Sequence, residues 1–436
     1  MLSAGISCAE LKSGAEESMI PASMQGRTWE KAVFIDPNKV KWLLSEKSNE
    51  FSEIRSRRPR LSGNTAFGNG TEMHLAEQLI KWQKQHGRHD LPWQKTRDPY
   101  RRWISEIMLQ QTQVTTVIPY YLRFIEAFPD VRTLAAASED DVLRHWAGLG
   151  YYARGRNLLA CAKAVMASGG EFPKNREALE ALPGIGRSTA AAILSSCWDL
   201  PEAILDGNAK RVFARYFGVK RGESETLYQK RLWEIAEETV PQKECGIYTQ
   251  ALMDLGSMVC RRSRPDCGSC PLRDGCKGFA SGDPSAFPGV KKRAEKPVRS
   301  SSFLVIRSES RLWVVRREMK GVWQGLYCFP EAPHEEEAPD PAALLPEGAA
   351  VRLPLRYAGR LPHEFTHYRL EMHFWEGDAV PDTLRHFTGG KWVSIRDADA
   401  EALPSPVLKF IQTRFAGILD PRELERPVTD DDTGNA

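Results

Sequence analysis

Four closely spaced cysteines constrain this chain more than any other feature of its sequence. They are Cys260, Cys267, Cys270 and Cys276, and the gaps between them hold six, two and five residues. Four thiolates in one short loop can close around a single metal centre, but zinc ribbons usually pair two CxxC units and this loop has one. Four cysteines also ligate [4Fe–4S] clusters, although the usual ferredoxin spacings differ from this one. The spacing therefore favours an iron–sulfur cluster and leaves zinc, or four unligated thiols, as alternatives.

The other cysteines and the overall composition narrow the class of protein. Five further cysteines are scattered, which indicates a reducing compartment and not a disulfide framework. A length of 436 residues predicts about two or three folded units. With 60 basic and 57 acidic residues the net charge is +3, so only local patches could bind nucleic acid by charge. No apolar run suits a bilayer span or a signal peptide, so we expect no membrane partner and no secretion.

The pattern along the chain predicts five regions. Residues 1–70 show no sustained period and predict a disordered extension. Residues 71–280 are helical in pattern nearly throughout, and residues 281–299 form a basic linker with several prolines. Residues 300–418 predict a separate α/β unit, and the polar, acidic residues 419–436 predict a disordered tail. The expected fold class is mainly α with a C-terminal α/β domain.

Local signals place the main elements within these regions. Met73 opens the first convincing helix, and further helices are expected to begin after Asp98, Ser138, Asn175 and Asp206, which are N-cap residue types. No convincing strand appears before the linker. Beyond it, FLVIRSESRLWVV (303–315) predicts a hairpin, HYRLEMHFW (367–375) a strand of period two, and SPVLKFI (405–411) a last helix.

The segment LPGIG (182–186) predicts a tight turn between two helices. Gly184 and Gly186 let the backbone expose consecutive N–H groups, which suits an anion such as a DNA phosphate. Any corner between helices can carry proline and glycine, so this signal alone is moderate. It becomes stronger because Asp206 follows twenty residues after Gly186.

Two carboxylates are candidates for breaking an N-glycosidic bond. That reaction passes through a cation-like sugar, which needs a carboxylate beside it and an acid to protonate the departing base. Asp206 at a helix start would accept backbone N–H bonds that keep it ionised, although a plain N-cap is the alternative. Glu106 stands beside Ile107 and Met108, where burial would raise its pKa and suit it to acid work. The alternative for Glu106 is a surface glutamate.

Together these segments resemble the MutY-type adenine DNA glycosylases of the endonuclease III superfamily. The resemblance runs from about residue 73 to 415. It rests on the cysteine loop and on LPWQ (91–94), SEIMLQQTQV (105–114), GLGYYARGRN (148–157), LPGIGRSTA (182–190) and ILDGN (204–208). It implies a helix-hairpin-helix fold of two helical subdomains with DNA between them, and a [4Fe–4S] cluster in the loop 256–279.

The resemblance also implies a role for each matching residue. Glu106 would protonate adenine, and Asp206 would stabilise the sugar cation with help from Asn208 and water. Trp93 and Leu109 would form walls of the base pocket. The other expected DNA or base contacts are Gln94 and Gln250 on adenine edges, Gln111 and Tyr151 in the base stack, and Leu149, Gly184, Gly186 and Ser188.

Ser188 indicates the type of reaction. Bifunctional relatives carry a lysine nucleophile two residues beyond the second hairpin glycine, and here that position is Ser188, which has no amine for a Schiff base. We therefore expect strand-cleaving lyase activity to be weak or absent, and the glycosylase to be monofunctional.

The C-terminal unit resembles the Nudix-like domain that such glycosylases append. GVWQGLYCFPE (321–331) is similar to the GxWxxPGG stretch of that fold, but no REx2EExG helix follows, so nucleotide hydrolysis is not expected. The segment HEFTHY (363–368), with His363, Thr366 and His367, is the expected reader of the base opposite adenine. Relatives often have serine where Thr366 stands.

The sequence thus predicts a monofunctional glycosylase that removes adenine mispaired with 8-oxoguanine, and also with guanine, from double-stranded DNA. We expect a monomer in the cytoplasm, associated with the chromosome if the source is bacterial. Three alternatives remain: an endonuclease III-like pyrimidine glycosylase with lyase activity, a non-catalytic iron–sulfur DNA-binding protein, and a nucleotide-pool hydrolase.

Overall fold

A computed structural model describes residues 69–222, 224–289, 295–318, 321–345, 350–352, 354–379, 384 and 389–419. The contact pattern divides the chain after Ala66, so every described residue belongs to the unit that begins at Phe67. The expected disordered segments, 1–70 and 419–436, lie outside the described residues except for 69, 70 and 419. No helix in the described ranges is long and apolar enough to cross a membrane.

Helices build the first part of the structure, and the described residues up to 289 contain no strand, as predicted. The longer helices are α1 (Asn69–His86), α2 (Pro99–Leu109), α3 (Val114–Ala127), α4 (Val131–Ala136), α5 (Glu139–Trp146), α6 (Ala153–Ala167), α7 (Arg176–Glu180), α8 (Arg187–Trp198), α9 (Gly207–Tyr216), α10 (Glu225–Thr239) and α11 (Cys245–Asp254). A π-helical turn, Leu255–Val259, extends α11, and a short helix, α12 (Lys277–Ala280), follows the cysteines.

The four predicted N-caps are confirmed. Asp98, Ser138, Asn175 and Asp206 each accept a hydrogen bond from a backbone N–H in the first turn of the helix they precede. The start of α1 lies at Asn69, four residues before the predicted Met73. Its first turn, NGTE, carries no apolar residue, so periodicity could not reveal it.

A seven-stranded sheet forms the second part. Its strands are β1 (Val298–Ser308), β2 (Arg311–Arg316), β3 (Tyr327–Cys328), β4 (Glu331–Pro333), β5 (Arg356–Glu364), β6 (Arg369–Asp378) and β7 (Gly390–Ser394). The order is β3-β2-β1-β6-β5, with β4 paired to β1 and β7 to β2, and only β1 and β6 run parallel. The predicted hairpin is confirmed as β1–β2, in which Ile306 faces Trp313.

Helix α14 (Ser405–Arg414) covers one face of this sheet, after a four-residue helix, α13 (Pro341–Leu344), and before another, α15 (Ala416–Leu419). The period-two prediction for β6 is confirmed, since Leu370, Met372 and Phe374 are buried and alternate with half-buried neighbours. Phe374 stacks on Phe410 of α14 with ring centroids 3.8 Å apart, which anchors the helix to the sheet.

The two parts are packed together. One hydrophobic cluster runs from helical residues such as Trp146 to sheet residues such as Phe374, so the predicted separate unit shares its core with the helices. The segment 281–299, which was expected to be a linker, also contacts the helical part. Its Phe287 is buried, and the Pro288 carbonyl accepts a hydrogen bond from the Arg221 N–H, because an aromatic ring here packs on the helical part.

Candidate active site

A cavity of about 820 Å³ opens among the helices and contains most of the residues expected to act on the base. The predicted residues that line it are Trp93, Glu106, Leu109, Ser188, Asp206, Asn208 and Gln250. They come from the 3-10 turn Pro92–Lys95, the end of α2, the start of α8, the start of α9 and the middle of α11. Residues 82 to 144 positions after Glu106 thus meet it at one place in the fold. Two further cationic side chains on the wall, Arg88 and Lys210, were not predicted from the sequence.

Asp206 is held rigidly at the N-terminus of α9. Its Oδ1 accepts hydrogen bonds from the N–H groups of Asn208 and Ala209 at 3.1 and 2.7 Å, and its Oδ2 accepts one from Asn208 Nδ2 at 3.1 Å. These donors and the positive end of the helix point toward the carboxylate and can stabilise negative charge at this position. Asp206 is therefore both an N-cap and a fixed negative charge at the cavity wall.

Glu106 lies at the same cavity with a different electrostatic environment. Burial raises its pKa to about 7, Arg102 opposes this rise, and the negative charge of Asp206 adds to it. The carboxyl group is therefore protonated in a large fraction of molecules at neutral pH. One cavity thus holds an anion and an available acid, which is the pair that N-glycosidic cleavage needs.

Arg88 and Gln250 are fixed by a buried residue that the sequence analysis also missed. The Asp254 carboxylate is fully buried and accepts from Arg88 Nε at 2.8 Å, Gln250 Nε2 at 3.0 Å and Gln83 Nε2 at 3.0 Å. Both Arg88 and Gln250 line the cavity, so Asp254 sets the orientation of part of its wall. Nothing in the local sequence ALMDLG marks this aspartate as a hub, because its partner Arg88 is distant in the chain.

Gln94 is not at the expected place. It lines a separate cavity of about 480 Å³ behind the first, and neither its amide oxygen nor its amide nitrogen has a hydrogen-bond partner. Trp93 and Gln94 lie in one turn of 3-10 helix, Pro92–Lys95, so successive side chains point in different directions. Arg88, and not Gln94, lines the first cavity.

The predicted hairpin joins α7 to α8. Gly184 has φ +77°, and a Cβ there would lie 2.7 Å from the Asn157 side chain, so glycine is required for both reasons. Gly186 is the N-cap of α8. Ser188 Oγ accepts a hydrogen bond from the Leu205 N–H at 3.1 Å, so this hydroxyl ties the hairpin to the segment before Asp206.

Gln111 and Tyr151 share an unusual backbone conformation. Their φ values are +57° and +50°, and both side chains are exposed. Left-handed conformations in residues other than glycine concentrate at functional sites, which agrees with an expected role in the base stack. Leu149 differs, because its side chain is 5% exposed and lies in the hydrophobic core. Its expected DNA contact stays a prediction.

The expected reader of the opposite base is the turn between β5 and β6. His363 is the second-to-last residue of β5, whereas Thr366 and His367 lie exposed in the turn. Thr366 Oγ1 and the Tyr151 hydroxyl are 2.9 Å apart and share a hydrogen bond. The two segments that the sequence associated with the base stack and the opposite base are therefore in direct contact.

The four cysteines surround one small cavity. Cys260, Cys267, Cys270 and Cys276 line it together with the buried Arg215, whose Nη1 donates to Cys260 Sγ at 3.3 Å. Within the described ranges no group of three or more His, Cys, Asp and Glu side chains has the geometry of a metal-ion site. The convergence of four thiols on one cavity fits the ligand chemistry of an iron–sulfur cluster.

Arg211 connects this loop to the start of α9. Its Nη2 donates to Asn208 Oδ1 at 2.8 Å, and its Nε donates to the Cys260 carbonyl at 2.7 Å. The sequence analysis did not single out Arg211.

Comparison with known proteins agrees with this arrangement. Residues 104–238 match the model of the HhH-GPD superfamily base excision DNA repair proteins, and residues 302–413 match that of the NUDIX domain. A helix-hairpin-helix lobe with an acid and a carboxylate in one cavity defines a base-excision DNA glycosylase.

Curated relatives narrow this class. The adenine DNA glycosylase of Buchnera aphidicola subsp. Baizongia pistaciae is 34% identical over 349 residues, which cover 78% of this chain and 97% of that protein. The human adenine DNA glycosylase is 32% identical over 399 residues, covering 77% and 72%. The chain therefore belongs to the adenine DNA glycosylase family of base excision repair enzymes. A solved thermostable thymine-DNA glycosylase is 29% identical, covering 48% of this chain and 97% of its own, with a TM-score of 0.44.

Proposed function

We propose that the chain is a monofunctional glycosylase that hydrolyses the N-glycosidic bond of adenine paired with 8-oxoguanine, and with guanine, in duplex DNA. The observation that carries this proposal is the pairing of Glu106 and Asp206 in one cavity. Burial raises the pKa of Glu106 to about 7, and Asp206 accepts three hydrogen bonds from within its own helix start.

The reaction can be written with these residues. Glu106 transfers its proton to the base while the bond from the base nitrogen to the sugar C1′ breaks and its electron pair leaves with the base. Asp206 stabilises the positive charge that develops on the sugar. A water molecule then bonds to C1′ and returns a proton to Glu106, so the products are free adenine and an abasic sugar. Asn208, which donates to Asp206 Oδ2, orients that carboxylate.

Adenine must leave the helix to reach this cavity. Enzymes that act on a base rotate it out of the stack and fill the space it leaves. Gln111 and Tyr151 are exposed and have strained backbones, which supports this filling role. Trp93 and Leu109 would pack on the flipped base.

Selection of the mispair has to depend on the partner base, because adenine itself is undamaged. 8-Oxoguanine differs from guanine by an N7–H donor and an O8 acceptor. Thr366 Oγ1 and the Tyr151 hydroxyl form a pair of polar groups that can accept from the first and donate to the second. This pair supports Thr366, with His363 and His367 beside it, as the reader of the opposite base.

The alternatives lack comparable support. In the described part of the C-terminal domain, GVWQGLYCFPE is followed by β4 and by the four-residue helix PAAL, which has no carboxylate for a metal–nucleotide site. Lyase activity would need an amine at the position of Ser188, whose hydroxyl is bonded to the Leu205 backbone.

We further propose that Cys260, Cys267, Cys270 and Cys276 hold a [4Fe–4S] cluster. They line one cavity, and Arg215 donates to the sulfur of Cys260, as expected beside a negatively charged thiolate. The cluster would supply a rigid cross-link for this loop. Arg211, which donates to both the Cys260 carbonyl and Asn208 Oδ1, would then hold the Asn208 side chain in a fixed position relative to this loop.

The test of the substrate assignment is single-turnover excision from duplexes with adenine opposite 8-oxoguanine, guanine or thymine. We expect a rate order that falls along this series. Thr366→Val should reduce the preference for 8-oxoguanine over guanine by about ten- to a hundredfold, because one base contact is worth about 1–3 kcal/mol. Thr366→Ser keeps the hydroxyl and should retain the preference. An unchanged preference in Thr366→Val would remove this residue from the proposal.

A further inference from the structure

Trp323, in the segment GVWQGLYCFPE, has a backbone conformation that a bulky residue rarely adopts. Its φ is +62°, and its side chain is 6% exposed. Positive φ in a large residue other than glycine is an outlier that persists only where surrounding contacts hold it. A tryptophan needed only to fill the core could do so from an ordinary backbone. The conformation therefore points to a constraint on where the ring must lie.

The ring lies under the turn that carries Thr366. Its centroid is 5.1 Å from that of Phe365 and 5.7 Å from that of His363, and these two rings are 4.6 Å apart in an edge-to-face arrangement. The three rings form a platform on the residues directly before Thr366. Lys296 Nζ also donates to the Phe365 carbonyl at 2.7 Å, so the backbone next to the platform is held by a further contact.

The residues after Trp323 contact the helical part. The Gln324 carbonyl accepts from Arg156 Nη1 of α6 at 2.5 Å. Gly325 has φ +81°, and a Cβ there would lie 2.8 Å from Glu139 Oε1 and 3.1 Å from Leu143 Cδ1. This turn therefore lies tightly against α5 and α6.

These contacts place one turn between the two segments that would read the mispair. Helix α6 begins two residues after Tyr151, and Arg156 lies within its first turns. The Trp323 side faces the platform below Thr366, and the Gln324 side faces the helix next to Tyr151. Tyr151 and Thr366 also contact each other directly, with their hydroxyl oxygens 2.9 Å apart.

We propose that Trp323 is a positioning residue for opposite-base discrimination, which sets the distance between Thr366 and Tyr151 without touching the DNA itself. This inference rests on the proposed function of Thr366. It gives a role to GVWQGLYCFPE, the segment that is similar to the GxWxxPGG stretch of the Nudix-like fold and that no REx2EExG helix follows in this sequence. Discrimination would depend on the aromatic ring, and the positive φ is what brings the ring under Phe365.

The experiment uses the full chain and two readouts, the ratio of single-turnover excision rates opposite 8-oxoguanine and guanine, and the thermal unfolding midpoint. Trp323→Gly keeps a residue that accepts positive φ and removes the ring. We expect its ratio to fall by about tenfold or more, as for loss of one base contact, with the rate opposite guanine nearly unchanged. Trp323→Phe should restore most of the ratio.

Trp313→Ala is the matched control, because Trp313 is 2% exposed in the same domain but packs on Trp392, away from the turn. It should lower the unfolding midpoint and leave the ratio unchanged. If Trp323→Gly does not fold, Arg156→Met, which removes the bond to the Gln324 carbonyl, should lower the ratio in the same direction.

The outcomes separate the two proposals. A normal ratio in Trp323→Gly, or in Arg156→Met where the first variant does not fold, beside a reduced ratio in Thr366→Val, would overturn the positioning role alone. An equal loss in Trp313→Ala would also overturn it, since any destabilisation of the domain would then suffice. A normal ratio in Thr366→Val would instead contradict the proposed reader of the opposite base.

Discussion

Arg154 Nη1 donates a hydrogen bond to the carbonyl oxygen of Gln110 at 2.6 Å. Its Nη2 donates to the carbonyl of Gly150 at 3.1 Å. These carbonyls belong to the residues directly before Gln111 and Tyr151, the two exposed residues with left-handed backbones. Burial lowers the pKa of Arg154 to about 10, which still leaves it charged at neutral pH. One buried guanidinium thus fixes both segments expected to enter the base stack.

Arg154→Lys should therefore impair excision although it keeps the charge. An ammonium group cannot span the six acceptors that the planar guanidinium reaches on both segments. Each buried acceptor left without a donor costs about 1–3 kcal/mol, so we expect a lower free energy of unfolding by at least that amount. Urea unfolding and single-turnover excision measure the two effects. Arg144→Lys, at an exposed ion pair, is the control, and wild-type excision in Arg154→Lys would contradict this role.

The helices and the chemical pair could be predicted from sequence because their signals are local. Asp98 and Asn175 cap helices through residues only two or three positions away, and Asp206 does the same. The place of Asp206 at a helix start is thus local, whereas its place in the cavity depends on how α9 packs against the other helices. Glu106 left two alternatives open, because its burial depends on α8 and α9, which are distant in sequence; the structure decides for the cavity.

The residues that organise the site were not predictable in this way. Arg154 donates to carbonyls 44 to 47 positions before it in the chain, and Asp254 binds Arg88 across 166 positions. A charged residue binds several distant groups in this way only when the fold buries it among them. No short sequence motif predicts that burial. Gln94 was placed at the adenine edge by the family resemblance of LPWQ, but its side chain and that of Trp93 point in different directions from one 3-10 turn, and Gln94 lines another cavity.

Asp206→Asn should bind mispaired duplex and excise adenine more slowly by about a hundredfold or more, the scale of losing an electrostatic contact in the transition state. Asparagine can still accept the backbone N–H bonds that begin α9, so the fold should persist while the negative charge is lost. Gel-shift affinity and single-turnover excision measure the two properties. Asp98→Asn makes the same change at an N-cap outside the cavity and should leave excision unchanged. Near-normal excision in Asp206→Asn would remove it from the mechanism.

The pH dependence of excision should report Glu106. Its pKa is raised to about 7, and the acid is active when protonated, so the rate should be highest below that pH. Above it, the rate should fall by about tenfold per pH unit as the proton is lost. Glu106→Gln should abolish this limb together with most of the rate. Glu126→Gln, at an exposed site on α3, should keep the profile, and a flat wild-type profile between pH 6 and 9 would contradict the assignment.

Purified protein should be brown and contain about four iron and four sulfide per chain, as a [4Fe–4S] cluster requires. Cys267→Ser should lose iron and weaken duplex affinity, because the cluster would hold the loop that contains Cys260, the partner of Arg211. Cys245→Ser is the control, since that thiol is buried outside the loop and donates to the Pro241 carbonyl, as a hydroxyl can. One zinc per chain and no iron after anaerobic preparation would overturn the assignment.

The last prediction is that product strands remain intact until they are heated with alkali. Cleavage by β-elimination requires an amine that bonds to C1′ as the base leaves, and the position that bifunctional relatives use is Ser188, whose hydroxyl is hydrogen-bonded to the Leu205 N–H. Borohydride should trap little covalent adduct with the wild-type protein. Ser188→Lys places an amine in the cavity wall and should increase trapping. Lys210 also lines the cavity, so a wild-type adduct that disappears in Lys210→Ala would contradict the prediction and assign the amine to that side chain.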